Sequence, residues 1–71
     1  MQAMKEQFLG RTVQIFPGDT DDKFGDVLDI NEAGVTFRIT KVNSGNYLSK
    51  YAVGEIRFIA FSTGLTFRLV A

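Results

Sequence analysis

The sequence has no cysteine, no histidine, no tryptophan and a single proline, Pro17. Without thiols no disulfide can staple the chain. Without His or Cys the usual general base, thiol nucleophile and soft metal ligands are missing. An enzyme is therefore not expected, and neither is a cofactor or a structural metal. No apolar run approaches the roughly 18 residues of a membrane helix, so no membrane partner is expected. The opening "MQAMKEQFLG" lacks the charged start, apolar middle and small-residue cleavage site of a signal peptide. A cytoplasmic location is the expectation. No Gly-rich phosphate loop precedes a long helix, which argues against nucleotide triphosphate chemistry.

One charged motif invites a metal reading and fails it. "GDTDDKFGDVLD" gathers Asp19, Asp21, Asp22, Asp26 and Asp29. An EF-hand loop starting at Asp19 needs an oxygen ligand at its fifth position and Glu at its twelfth. Lys23 and Ile30 stand there. The run reads as a solvated acidic turn between two strands.

The chain has 71 residues and reads as one domain, 1–71. A chain of this size buries only roughly 60% of its unfolded surface, so its core needs support. With disulfides and metals gone, oligomerisation remains. The formal charge is zero but unevenly spread. Residues 1–37 carry three bases (Lys5, Arg11, Lys23) against seven acids (Glu6, Asp19, Asp21, Asp22, Asp26, Asp29, Glu32), a balance of −4. Residues 38–71 carry five bases (Arg38, Lys41, Lys50, Arg57, Arg68) against Glu55, a balance of +4. The split fits a basic binding face, complementary surfaces in a head-to-tail assembly, or chance in a short chain.

Residues 1–10 space Met1, Met4 and Phe8 at helical intervals, and Gly10 is a fitting C-terminal cap. Strands fill 11–70. "RTVQIF" turns Val13 and Ile15 inward. "FPGD" has the residues of a type II turn. "KFGDVLDIN" is a strand whose interior Gly25 suggests a bulge. "NEAG" is a turn in which Gly34 can take positive φ. "VTFRITKV" alternates Val35, Phe37 and Ile39 with Thr36, Arg38 and Thr40, and "NSGN" is the strongest turn signal after it. "YLSKYAVG" is either continuing strand or connector. The last two strands read as a hairpin closed by "STG". The expected fold class is all-β with a short N-terminal helix, a strongly bent five-stranded antiparallel barrel. A flat sheet would leave its edges open.

That last hairpin is apolar on both phases. Ile56, Phe58, Ala60, Leu65, Phe67 and Leu69 form the expected core face, yet Ile59, Phe61 and Val70 share the other phase with Glu55, Arg57 and Arg68. A second apolar face points to association with another copy. Two features suggest nucleic acid. Arg38, Arg57 and Arg68 are expected to lie together on the outer sheet face, as phosphate ligands or as solvated charges. "KVNSGNYLSKYAV" interleaves Lys41, Tyr47, Lys50 and Tyr51 with amides and no acid, a pattern suited to stacking on unpaired bases or to packing over a barrel rim.

The order helix, five bent strands, strand-two glycine and apolar outer face resembles the Sm/LSm family, including its Hfq-type relatives. Gly25 and Val27 match the family's glycine and the hydrophobic residue two places on. The family's base pocket has Asp, an aromatic or His, and Asn in the following turn. Here those places hold Asn31, Ala33 and Val35, of which Asn31 can bond a base edge. Ser62 and Thr63 of "AFSTG" match the Hfq-type second motif. A rival register puts "VGEIRFI" on the Sm form of that motif, with Gly54 matching, but adds a sixth strand.

The resemblance implies a closed ring in which the fourth strand of one copy pairs with the fifth of the next. Arg57, Ile59, Phe61, Leu65, Phe67 and Val70 are the interface candidates. It also implies an accessory role in nucleic-acid processing, binding RNA or single-stranded DNA. Asn31, Arg38, Lys41, Tyr47, Lys50, Tyr51, Arg57 and Arg68 are the candidate contacts. The alternatives are a homo-oligomeric structural or protein-interaction module, and a monomeric SH3-like peptide reader.

Overall fold

The computed structural model describes residues 2–43 and 50–70. Helix α1 (Gln2–Phe8) leads into β1 (Thr12–Ile15), β2 (Asp22–Ile30), β3 (Gly34–Asn43), β4 (Ile56–Ala60), a 3₁₀ turn (Phe61–Thr63) and β5 (Phe67–Leu69). The strands form one antiparallel sheet in the order β4-β3-β2-β1-β5. It is mostly β, as expected, but the sheet is not closed. Residues 50–55 form no strand. The "NSGN" turn falls largely on 44–49, outside the described residues.

Helix α1 is too short to persist alone. Met4 and Phe8 pack it on the core, and Phe8 meets Phe67 edge to face at 4.9 Å. Phe67 in turn meets Phe37 at 5.8 Å. Gly10 takes φ +77, the left-handed conformation that ends helices. The "FPGD" expectation holds: Asp19 N–H donates to the Phe16 carbonyl at 3.2 Å, with Gly18 at φ +101. Gly25 sits beside a register shift between β2 and β3, as a bulge requires. The inward residues Val13, Ile15, Val27, Ile30, Val35, Phe37 and Ile39 form the core as the alternation predicts.

Three expectations are corrected. First, β4 and β5 do not form a hairpin. The 3₁₀ turn and residues 64–66 carry the chain away from β4, and β5 pairs with β1, placing Val13 opposite Leu69 and Ile15 opposite Phe67. Second, the phase of β4 is inverted. Val35 lies opposite Ile59, which is 7% exposed and belongs to the core. Ile56 and Phe58, assigned to the core from sequence, are 60% and 48% exposed. Both phases of the segment are apolar, so alternation alone could not choose between them.

Third, Gly34 is not required for a positive φ. A Cβ there would lie 2.3 Å from the Ile59 carbonyl oxygen and 2.8 Å from the Ala60 Cα. Glycine lets β4 approach the start of β3. Gly34→Ala forces this backbone apart as well as displacing the Phe58 ring, whose Cζ lies 2.8 Å from the added Cβ. It is expected to lower stability by about 2 kcal/mol, in the range of core overpacking. A urea titration checks this. An unchanged midpoint would show that β4 does not make this approach.

Candidate binding cleft

The most unusual side chain is Lys23. Its register partner is Ile15, which places it on the inward phase of β2, and it is only 2% exposed. A buried ammonium needs compensating partners. Lys23 Nζ donates to Asp19 Oδ2 at 3.0 Å, to Asp21 Oδ1 at 3.1 Å and to the Asp21 carbonyl at 3.3 Å. Three donors meet three acceptors. The ammonium also lies 5.6 Å from the Phe16 ring and 5.7 Å from the Tyr51 ring, within cation–π range. Part of the acidic turn is therefore a counter-charge for a buried cation, beyond the solvated turn expected. The signal was present in sequence: Lys23 shares the phase of Gly25 and Val27 and follows two aspartates.

Around this ion cluster opens a cleft of about 470 Å³, lined by Phe16, Asp19, Thr20, Asp21, Lys23, Lys50 and Tyr51. A second hollow of about 390 Å³ shares Phe16 and Tyr51 and continues to Arg57, Phe58 and Thr63. The Arg57 guanidinium stacks over the Tyr51 ring at 4.3 Å. It is held there by bonds to the Lys50 carbonyl at 3.1 Å and to Glu55 Oε2 at 3.3 Å. Glu55 Oε1 in turn accepts from Ala52 N–H, which fixes the connector that carries Tyr51.

The structure brings together Lys50, Tyr51 and Arg57, and disperses the other candidates. Tyr47 lies outside the described residues. The three arginines do not form a stripe. Arg57 is opposite Phe37 on the inward phase, while Arg38 and Arg68 point outward with β2 and β1 between their strands. Arg68 donates to Gln14 Oε1 at 3.2 and 3.0 Å. Arg38 stands beside Asp26. Lys41 lies over the Phe24 ring at 5.7 Å on that outer face. Asn31 Oδ1 accepts from the N–H groups of Ala33 and Gly34 at 2.8 and 3.1 Å, so its carbonyl is engaged in the turn.

The interface candidates are similarly divided. Ile59 is in the core, and Phe61, Leu65 and Phe67 pack against it. Val70 remains exposed. Among the described residues no cluster of acids is arranged to hold a metal ion, and no helix is long and apolar enough to cross a membrane.

Burial opposes the Lys23 charge, but the hydrogen bonds and negative charges of Asp19 and Asp21 outweigh it and raise the pKa above the ordinary 10.5. A raised lysine pKa stabilises the fold fully below pH 10.5 and loses that contribution as pH climbs through the folded value. Lys23→Met removes the ion. It should cost about 1–3 kcal/mol near neutrality by stranding the carboxylates. The variant's urea midpoint should also lack the wild-type component lost above pH 10.5. Parallel pH curves for the two proteins would contradict this.

No family model, curated protein or solved structure matches the chain.

Proposed function

We propose that the chain is a subunit of a closed, Sm-like homo-oligomer that binds RNA or single-stranded DNA in an accessory role. The observation that carries the proposal is the pair of open edges. β4 and β5 stand at opposite ends of one sheet. On β4, Glu55 O bonds Ile39 N–H and Phe61 N–H bonds Ala33 O, while Arg57 and Ile59 face Phe37 and Val35. That alternation turns the N–H and C=O groups of Ile56 and Phe58 and the N–H of Ala60 toward the open edge, while the Ala60 carbonyl accepts from Thr63 Oγ1 at 2.6 Å. An edge with exposed apolar side chains is a template for another strand.

The β5 edge of a second copy supplies that strand, and repetition of the same contact closes a ring if the rotation permits. A helix packed on an antiparallel sheet, the bulge at Gly25 and the 3₁₀ turn between the edge strands support an Sm-like, curled arrangement. Of the Ile59, Phe61 and Val70 inferred from sequence as the second apolar surface, Val70 stays exposed and Ile56 and Phe58 take the place of the other two.

The nucleic-acid role is supported by the joined hollows around Tyr51. An aromatic ring backed by a guanidinium, with Lys50 alongside, offers a stacking surface and two phosphate partners. The alternative, assembly without nucleic acid, is favoured by the dispersal of Arg38, Lys41 and Arg68.

Light scattering should give a multiple of the 7.9 kDa subunit, and Ile56→Lys should return it to one subunit while remaining folded. A wild-type monomer at all concentrations would refute assembly. With two phosphates neutralised, affinity for a single-stranded oligonucleotide should fall roughly sevenfold between about 50 and 200 mM salt. Lys50→Ala should flatten the logarithmic slope by about 0.7. Absent or salt-independent binding would refute the nucleic-acid role.

A further inference from the structure

The Sm/LSm resemblance would put a base pocket after strand two, but the residues there are Asn31, Ala33 and Val35, and the Asn31 carbonyl is already engaged. The cleft at the far end of the same strand has a different chemistry. Asp19 and Asp21 bring hydrogen-bond acceptors to it, and Phe16 and Tyr51 bring rings. Its volume of about 470 Å³ is typical of small-molecule sites. The two carboxylates are balanced by Lys23 and Lys50, so the cleft does not repel a phosphate.

Phe16 adds a second observation. It has φ +50, an outlier for a bulky residue. The conformation is held on both sides: Phe16 N–H donates to the Thr66 carbonyl at 2.8 Å, and its own carbonyl accepts from Asp19. Backbone strain of this kind clusters at binding and switch sites. Phe16 packs against the core and lines both hollows.

We infer that this cleft binds an unpaired guanine, with Asp19 accepting from its N1–H and N2–H₂ groups and Phe16 or Tyr51 stacking on its plane. The assignment rests on the nucleic-acid reading above and specifies its base. A carboxylate only accepts hydrogen bonds. Guanine presents two adjacent donors on its Watson–Crick edge. Uracil presents one donor flanked by two carbonyls, which a carboxylate repels. Adenine and cytosine each present one amino donor beside an acceptor nitrogen. Lys23 bonds Asp19 through Oδ2, and the Asp19 side chain is more than half in solvent, at 56%. Its Oδ1 and the remaining Oδ2 lone pair can meet the guanine donors together. Lys50, at the same cleft, is placed to meet the guanine's phosphate.

The test uses the whole protein and two arms. Calorimetry compares GMP with UMP and AMP. Fluorescence anisotropy compares single-stranded oligonucleotides that differ only in replacing uracil by guanine at isolated positions. Guanine should be favoured over uracil about tenfold in each arm, the value of one bidentate base contact. Asp19→Asn keeps a carbonyl for Lys23 but sets an amide donor against the guanine donors. It should abolish the preference, bringing the guanine-to-uracil affinity ratio to about one.

Equal affinity for guanine and uracil, or a preference for uracil or adenine, overturns the guanine assignment and leaves strand binding standing. GMP binding without oligonucleotide binding keeps the guanine site and overturns strand binding. Failure of both arms overturns both. The wild-type guanine-to-uracil ratio decides the question even if Asp19→Asn does not fold.

Discussion

The pairing of Val35 with Ile59 is the constraint on which the rest of the molecule depends. It is set where the backbone of β4 crosses Gly34 too closely for any side chain. Once Ile59 is opposite Val35, period-two alternation assigns every other residue of β4. Ile59 completes the core. Arg57 falls beside Phe37 on the inward phase, within reach of Tyr51. Ile56 and Phe58 go to the outer face, and their backbone donors go to the open edge. Core, cleft and edge thus follow from one register, and a slip of one residue would exchange all three.

The cleft depends on a second compromise. Placing Lys23 on the inward phase of β2 puts a cation where an apolar residue would normally sit. The β1–β2 connection answers with Asp19, with Asp21 and with the ring of Phe16, and the connector before β4 answers with Tyr51. Replacing such an ion cluster by apolar packing often costs nothing in stability. Here the cluster organises a surface: two rings, two carboxylates and a second lysine around one opening.

Much of the fold was legible in the sequence because the relevant signals are local. Val13 and Ile15, and Val35, Phe37 and Ile39, alternate cleanly against polar neighbours, so their face was unambiguous. Pro17–Gly18 and Gly25 act through their own backbone, and their roles were read correctly. The phase of β4 was not legible, because apolar residues fill both phases and only the tertiary contact at Gly34 decides. The partner of β5 was not legible either. A Gly-containing loop of this length suits a hairpin, and the 3₁₀ turn that redirects the chain has no strong composition of its own.

The site was legible in part. Lys50, Tyr51 and Arg57 were named, since bases interleaved with aromatics stand out. Phe16 and Lys23 were missed, because a phenylalanine at a strand end and a lysine beside aspartates look ordinary until the sheet register brings them to one cleft. The three-arginine stripe failed because it assumed that successive strands are neighbours.

Hydrogen–deuterium exchange at Ile56, Phe58 and Ala60 tests the edge-pairing claim most directly. Their N–H groups face away from β3 and meet no acceptor among the described residues of the isolated chain. Pairing with β5 of another copy predicts protection that rises with protein concentration. Fast exchange at these amides at every concentration, with Arg57 and Ile59 still protected, would contradict it.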